Sequence, residues 1–390
     1  GIMALTAWEH PISSNMKDFP LWSSFVALST DGHLSLLAAT PAGIAKSATY
    51  RFTTSGELDT SLGASGELET SYPSNFPRGV IALSVGGFQT IGWGPVTTFI
   101  SARLLSSGNL DTSFNTNGEV STASGNFAPY GLFEDRQART LAYGSDNNVS
   151  SAMVRYLPSG ALDTAFHTDG IASLNLTAGD DAVFQAHVLS NDRIVLAGRG
   201  VGSAIDFFLT RFLSSGVLDT SFDTDGFVLT NFSGSNDMAN DMVVQTDGKY
   251  LLIGAATVSG SQRMALARYE TDGILDPTFG TAGKLHTSIS LGSSLANSGV
   301  LDETGRTIIV GQVTNGSQTD GIIARYTTNG ILDTAFGSAG EGFSVLSVGF
   351  DDNFSGIVLD ADNAYVAGAA LSRTLVTSDT YAPYLLKFRR

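Results

Sequence analysis

Short apolar runs separated by Gly- and Asp-rich turns recur along the whole chain. No segment keeps a 3.6-residue apolar spacing over ten positions, so strands are predicted throughout and helices are expected to be nearly absent. One unit shows the pattern clearly. Met242-Val243-Val244 turns at Thr246-Asp247-Gly248 and returns through Tyr250-Leu251-Leu252-Ile253-Gly254-Ala255-Ala256. Two apolar runs around an Asp-Gly turn predict a β-hairpin. After a polar loop, Met264-Ala265-Leu266-Ala267-Arg268-Tyr269 predicts a third strand, and the more polar Gly283-Lys284-Leu285-His286-Thr287 a fourth.

A single phrase follows the third strand in six units. Arg51 leads to Asp59, Arg103 to Asp111, Arg155 to Asp163, Arg211 to Asp219, Arg268 to Asp276 and Arg325 to Asp333. The Asp always falls eight residues after the Arg, inside a segment such as Leu275-Asp276-Pro277-Thr278-Phe279. Successive arginines stand 52, 52, 56, 57 and 57 residues apart. Four short strands repeated at that period predict propeller blades.

A second column counts one more unit. Ala38, Gly92, Gly144, Gly198, Gly254, Gly311 and Gly368 end the second strand of seven units, where a small residue is expected to let neighbouring sheets approach closely. The last unit aligns Lys387-Phe388 with Arg268-Tyr269 and then lacks an outer strand. At the other end, Gly1-Ile2-Met3-Ala4-Leu5-Thr6 is similar to Gly283-Lys284-Leu285-His286-Thr287. The expected fold is therefore all-β: a seven-bladed propeller of four-stranded blades, closed by the N-terminal strand (residues 1–8) completing the last blade. Closure leaves no exposed blade to pair with another molecule. The chain is expected to form a single domain, 1–390, with blades near 19–74, 75–124, 125–179, 180–235, 236–291, 292–349 and 350–390.

Ala267-Arg268-Tyr269, Asp272-Gly273, Leu275-Asp276, Phe279-Gly280-Thr281 and Gly283-Lys284, preceded by Gln245-Thr246-Asp247-Gly248-Lys249, resemble the delta-60 repeat family. The resemblance covers essentially the whole chain, although the first unit ends in Leu62 and the seventh lacks the phrase. It implies a β-propeller found mostly in bacterial surface and secreted proteins, with no catalytic residues to carry over.

Composition narrows the chemistry. A net charge of −16 and the lack of any Lys/Arg run argue against nucleic acid, whose phosphates need a basic stripe. Without cysteine there are no disulfides, thiolate metal sites or thiol nucleophiles. No apolar run is long enough to span a bilayer, and no signal peptide opens the chain. A secreted or surface-bound bacterial monomer is expected.

Two polar constellations are candidates. The Arg–Asp pairs are read as scaffolding, each Arg meeting the Asp after its turn or one in the next blade as a bidentate ion pair, because a ligand site is rarely repeated in every blade. Acidic residues also stand before the first strand of several units: Asp180, Asp181, Asp237 with Asp241, and Asp351 with Asp352. In a propeller they would converge on one channel mouth. There they would either cap turns or hold Ca²⁺ through six to eight oxygens. No other cofactor is expected. Loops between second and third strands lie on the same side and vary most; they carry Trp93, and the longest, Ser372 through Tyr384, carries Tyr381 and Tyr384. These aromatics are candidates for stacking on a sugar or anchoring a protein. The favoured reading is a non-enzymatic binding or scaffolding module for a glycan or protein. Its rivals are a glycosidase or metal-dependent hydrolase built from the mouth carboxylates, and a structural spacer.

Overall fold

The computed structural model describes residues 5–8, 25–28, 34–39, 47–53, 57–62, 67–70, 77–93, 98–123, 127–146, 150–177, 179, 181–337, 340–347, 351–373 and 379–389. Among them there are strands and turns and no helix. The fold is a seven-bladed β-propeller, each blade an antiparallel sheet of four strands. Blade five shows the plan: Asp237–Val244, Tyr250–Val258, Ser261–Tyr269 and Lys284–Thr287, hydrogen-bonded in that order. Tyr250 through Ala256 are all buried, which is why the second strand reads as an unbroken apolar run. The fourth strand is half-exposed and correspondingly polar.

In blade seven, Leu5–Trp8 supplies the fourth strand, pairing antiparallel with Asp379–Arg389. Its register differs from the one suggested by Gly1–Thr6. Lys284 stands opposite Ala267, just before Arg268; opposite Leu386, just before Lys387, stands Ala7 rather than Ile2. Short, half-polar outer strands specify register weakly, since little apolar burial is lost on slipping.

The chain divides into two compact units, Gly1–Trp22 with Ala197–Leu209 and Thr220–Arg390, and Ser23–Leu196 with Thr210–Asp219. In the first, Leu251, Ile253, Met264 and Leu266 of blade five share a buried cluster with Ile309 and Ile322 of blade six. In the second, Leu62 packs with Val80, Phe88 and Leu104, filling the place that Phe occupies in the other copies of the phrase.

The phrase itself locks blades together. In all six copies the Arg Nε donates to Asp Oδ2, at 2.7–2.8 Å. At Arg268 the pair is not bidentate, contrary to expectation, because the rest of the guanidinium is used elsewhere. Arg268 Nη1 donates to the Thr328 carbonyl of the next blade at 2.5 Å, and Nη2 to Thr278 Oγ1 at 3.1 Å. Arg155 Nη1 reaches the Ser214 carbonyl at 2.6 Å in the same way. Beneath the guanidinium lies the phrase aromatic, Phe279 at 4.7 Å from Arg268 and Phe166 at 4.3 Å from Arg155. That ring in turn fills the seat of a glycine in the following blade. A Cβ on Gly330 would meet Phe279 at 2.7 Å, and one on Gly216 would meet Phe166 at 2.8 Å, and both glycines have positive φ.

A second cation, not anticipated from the sequence, joins each carboxylate in blades three to six. Arg139, Arg193, Lys249 and Arg306 come from the first turn of the blade and approach Asp163, Asp219, Asp276 and Asp333 at 3.6, 3.1, 2.7 and 3.7 Å. Burial by itself would raise the Asp276 carboxyl. Hydrogen bonds from Lys249 and Thr278 and the Arg268 charge outweigh it and hold the group well below the usual carboxylate range.

The small-residue column has a different cause from the one expected. In blades two, three, five, six and seven the first strand carries a β-bulge, and the residue before the extra one stands opposite the column glycine: Pro77, Pro129, Ala239, Ala296 and Phe354. A Cβ on Gly144, Gly254 or Gly311 would lie about 2 Å from a carbonyl oxygen of its own blade's first strand, that of Ala128, Met238 or Leu295. The glycine accommodates the bulge beside it, not a neighbouring sheet.

Candidate ligand-binding edge

At one edge of each blade the connection from the preceding blade enters the first strand, and the hairpin joining second and third strands emerges beside it. Of the predicted acidic residues, Asp181, Asp237, Asp351 and Asp352 fall here. Asp237 is 1% exposed; Oδ2 accepts the Phe232 N–H at 2.8 Å and Oδ1 the Thr257 N–H at 3.0 Å. One carboxylate thus ties the incoming connection to the end of the second strand. Burial, reinforced by the nearby Asp206 charge, raises its pKa despite those two bonds. Asp181 is buried likewise, with Oδ2 accepting the N–H groups of Leu176 and Thr177 at 2.8 and 3.1 Å and Oδ1 the Thr177 hydroxyl.

Asp351 Oδ1 accepts the Thr319 N–H at 2.8 Å, stitching the connection to the hairpin of blade six. Asp352 is buried, at the start of its strand. Asp241 sits at the bulge of blade five rather than in the connection. Its Oδ1 accepts the Met242 N–H, and its Oδ2 the Ser298 hydroxyl and Gly299 N–H of blade six, each at 2.9 Å. Asp180 lies outside the described residues. Among the described residues no group of three or more His, Asp or Glu side chains is arranged to hold a metal ion.

The aromatic candidates occupy strand positions. Trp93 ends its strand opposite Phe99. Tyr381 stands opposite Leu371 and Tyr384 opposite Gly368, because the strands Asn363–Arg373 and Asp379–Arg389 extend well into the segment predicted as a loop. Thr380, Tyr381 and Tyr384 are β-favouring residues, which suits pairing.

The bulges supply a set of residues that sequence reasoning missed. The extra residue is Arg78, Tyr130, Asn240, Asn297 or Ser355, a different chemistry almost every time. Asn240 donates to the Ala296 carbonyl at 2.8 Å, and Asn297 donates to the Phe354 carbonyl at 2.8 Å and to Asn353 Oδ1 at 2.6 Å. In the other unit Arg78 lies over Tyr130 at 5.8 Å, and Tyr130 meets Phe184 edge-on at 5.2 Å. Only the strand register reveals this column, since a one-residue bulge carries no compositional mark.

Three stretches, 189–222, 245–279 and 303–336, match the model of a family described as a domain of unknown function (DUF5122) beta-propeller. The matching stretches lie in blades four, five and six. Each stretch closes on the aromatic of the blade-locking phrase, Phe222, Phe279 or Phe336. No curated protein matches the chain. Among solved structures, an ulvan lyase described as a new polysaccharide lyase family is 9% identical over 96% of this chain and 95% of its own, with a TM-score of 0.55. A puromycin hydrolase is 10% identical over 97% of this chain and 57% of its own, with a TM-score of 0.51. Identities this low carry the likeness to the fold and no further. No helix among the described residues is long and apolar enough to cross a membrane.

Proposed function

We propose that this chain is a non-enzymatic binding module that engages a glycan or protein through the edge carrying the connections and hairpin tips. The observation that supports this reading is a division of labour at that edge. The buried Asp237 spends both oxygens on backbone N–H groups, and Asp241 spends its own on backbone N–H groups and a hydroxyl, which stiffens that edge of blade five. Tips of unrelated sequence, Gly202-Ser203, Ser259-Gly260-Ser261-Gln262 and Asn315-Gly316-Ser317, stand exposed at the same edge of their blades. A variable rim on an over-determined scaffold suits recognition.

A hydrolase at the same edge is the second reading, favoured by one feature: Asp237, whose burial and Asp206 neighbour keep its carboxyl more basic than usual, as a general acid requires. Binding to arrayed glycans and to immobilised cell-surface proteins tests both. Binding is expected to disappear when Ser259–Gln262 is replaced by Asn-Gly and to survive Ile274→Ser and Ile331→Ser at the opposite edge. Binding lost through the isoleucine variants overturns the assignment of the edge. Cleavage of a bound glycan that stops in Asp237→Asn establishes the hydrolase instead.

A further inference from the structure

The chain contains three Asn-Gly dipeptides, at Asn117-Gly118, Asn315-Gly316 and Asn329-Gly330. Two are bound into turns. Gly118 N–H donates to the Phe114 carbonyl at 2.8 Å, and Gly330 N–H to the Thr327 carbonyl at 2.9 Å. Asn117 is further engaged, its Oδ1 accepting the Glu119 N–H at 3.1 Å. The third caps the hairpin between Thr307–Asn315 and Gln318–Tyr326, with Asn315 opposite Gln318. Gly316 has φ 64°, no atom within 4 Å of where its Cβ would be, and an N–H used by no hydrogen bond among the described residues. Beneath the tip, Asn315 Nδ2 donates to Asp320 Oδ2 at 2.8 Å. Asp320 is 3% exposed, and its other oxygen is buried without a hydrogen-bond partner.

We propose that Asn315-Gly316 is a self-modification site, at which the chain converts an amide into a carboxylate and thereby releases its own hairpin. The Gly316 nitrogen attacks Asn315 Cγ. A Cγ–N bond forms as the Cγ–Nδ2 bond breaks, and the Gly316 amide proton leaves on ammonia. The resulting five-membered imide is opened by water at either carbonyl, giving aspartate or isoaspartate at position 315, with no change of oxidation state. An unbonded glycine N–H without a side chain is the nucleophile least hindered and least stabilised in its ground state. The product cannot keep its seat. The single donor reaching the buried Asp320 becomes a carboxylate, so two acceptors face each other beneath the exposed tip, and the like charges drive the tip away. The chemistry needs only the chain and water, so its failure or success is separate from whether the edge binds a ligand.

The test is peptide mapping by mass spectrometry on the full chain held at mildly alkaline pH. Conversion at position 315 is expected to run at least about tenfold faster than at 117 and 329, about 1.4 kcal/mol in barrier. Equal rates at the three sites, or none at 315, overturn the proposal. Asn315→Gln, which keeps the amide donor, is expected to abolish conversion there without shifting the melting temperature. Hydrogen exchange across 314–319 is expected to quicken severalfold in Asn315→Asp and to slow again when Asp320→Asn is added. Unchanged exchange in Asn315→Asp overturns the release of the hairpin.

Discussion

The two edges of blade five are built from the same four strands, yet they use aspartate in opposite ways. At the phrase edge Asp276, fully buried, faces Arg268 at 2.8 Å and Lys249 at 2.7 Å, and its carboxyl is held well below the usual range. At the connection edge Asp237, as deeply buried, meets backbone N–H groups and the Asp206 charge, and its carboxyl is pushed up. Burial raises both; at Asp276 the hydrogen bonds from Lys249 and Thr278, with the Arg268 charge, reverse it, and at Asp237 two backbone N–H groups do not. The phrase edge is therefore held by side-chain charge that must recur in every copy. The connection edge is held by backbone that any Asp or Asn can satisfy, leaving its remaining positions free to vary.

The largest test of this contrast is Arg268→Ala. It strands part of the Asp276 charge, removes the bond to Thr328 and uncovers Phe279. Denaturant unfolding is expected to show a loss of about 3–5 kcal/mol. A loss below half of that would place the strength of the edge in Phe279 and Lys249 instead.

Gly254→Ala comes next. The added methyl meets the Met238 carbonyl at 2.0 Å, so the bulge of blade five must shift, at about 1–3 kcal/mol. A neutral result in thermal melting would show that the bulge is soft and that the column glycines serve some other end.

Asp237→Ala is expected to cost the least at neutral pH, about 1–3 kcal/mol at most, from two N–H groups left without acceptors. Its pH dependence sharpens the comparison. The Asp237 pKa is raised by folding, so its contribution is full below the unfolded value, about 3.9, and is lost as pH rises through the folded value. The gap between wild type and Asp237→Ala is thus expected to widen as pH falls from neutral. Asp276 is depressed, so its contribution is present above the unfolded value and is lost only as pH falls through its strongly acid folded value. The Arg268→Ala gap is expected to narrow there. Parallel unfolding curves from neutral to acid pH check both directions, and gaps that move together would break the contrast.

What the sequence determined by itself is the repeat. Alternating apolar runs and Asp-Gly turns define four strands, the eight-residue Arg–Asp spacing marks six blades, and the glycine column adds the seventh. These signals are legible because each copy must solve the same local problem with the same residues. That Arg and Asp pair was readable too; that each Arg takes the Asp of its own segment, and shares its guanidinium among groups such as Thr328, Thr278 and Phe279, was not, because those partners answer to the packing of the next blade and the next turn. The candidate edge was legible only as a list of carboxylates. Whether Asp237 would point at solvent, a cation or a peptide N–H depends on how closely Phe232 and Thr257 are brought to it. The bulge residues Arg78, Tyr130, Asn240 and Asn297 were invisible for a related reason. A bulge is a property of pairing between two strands, and pairing exists only once the sheet has formed.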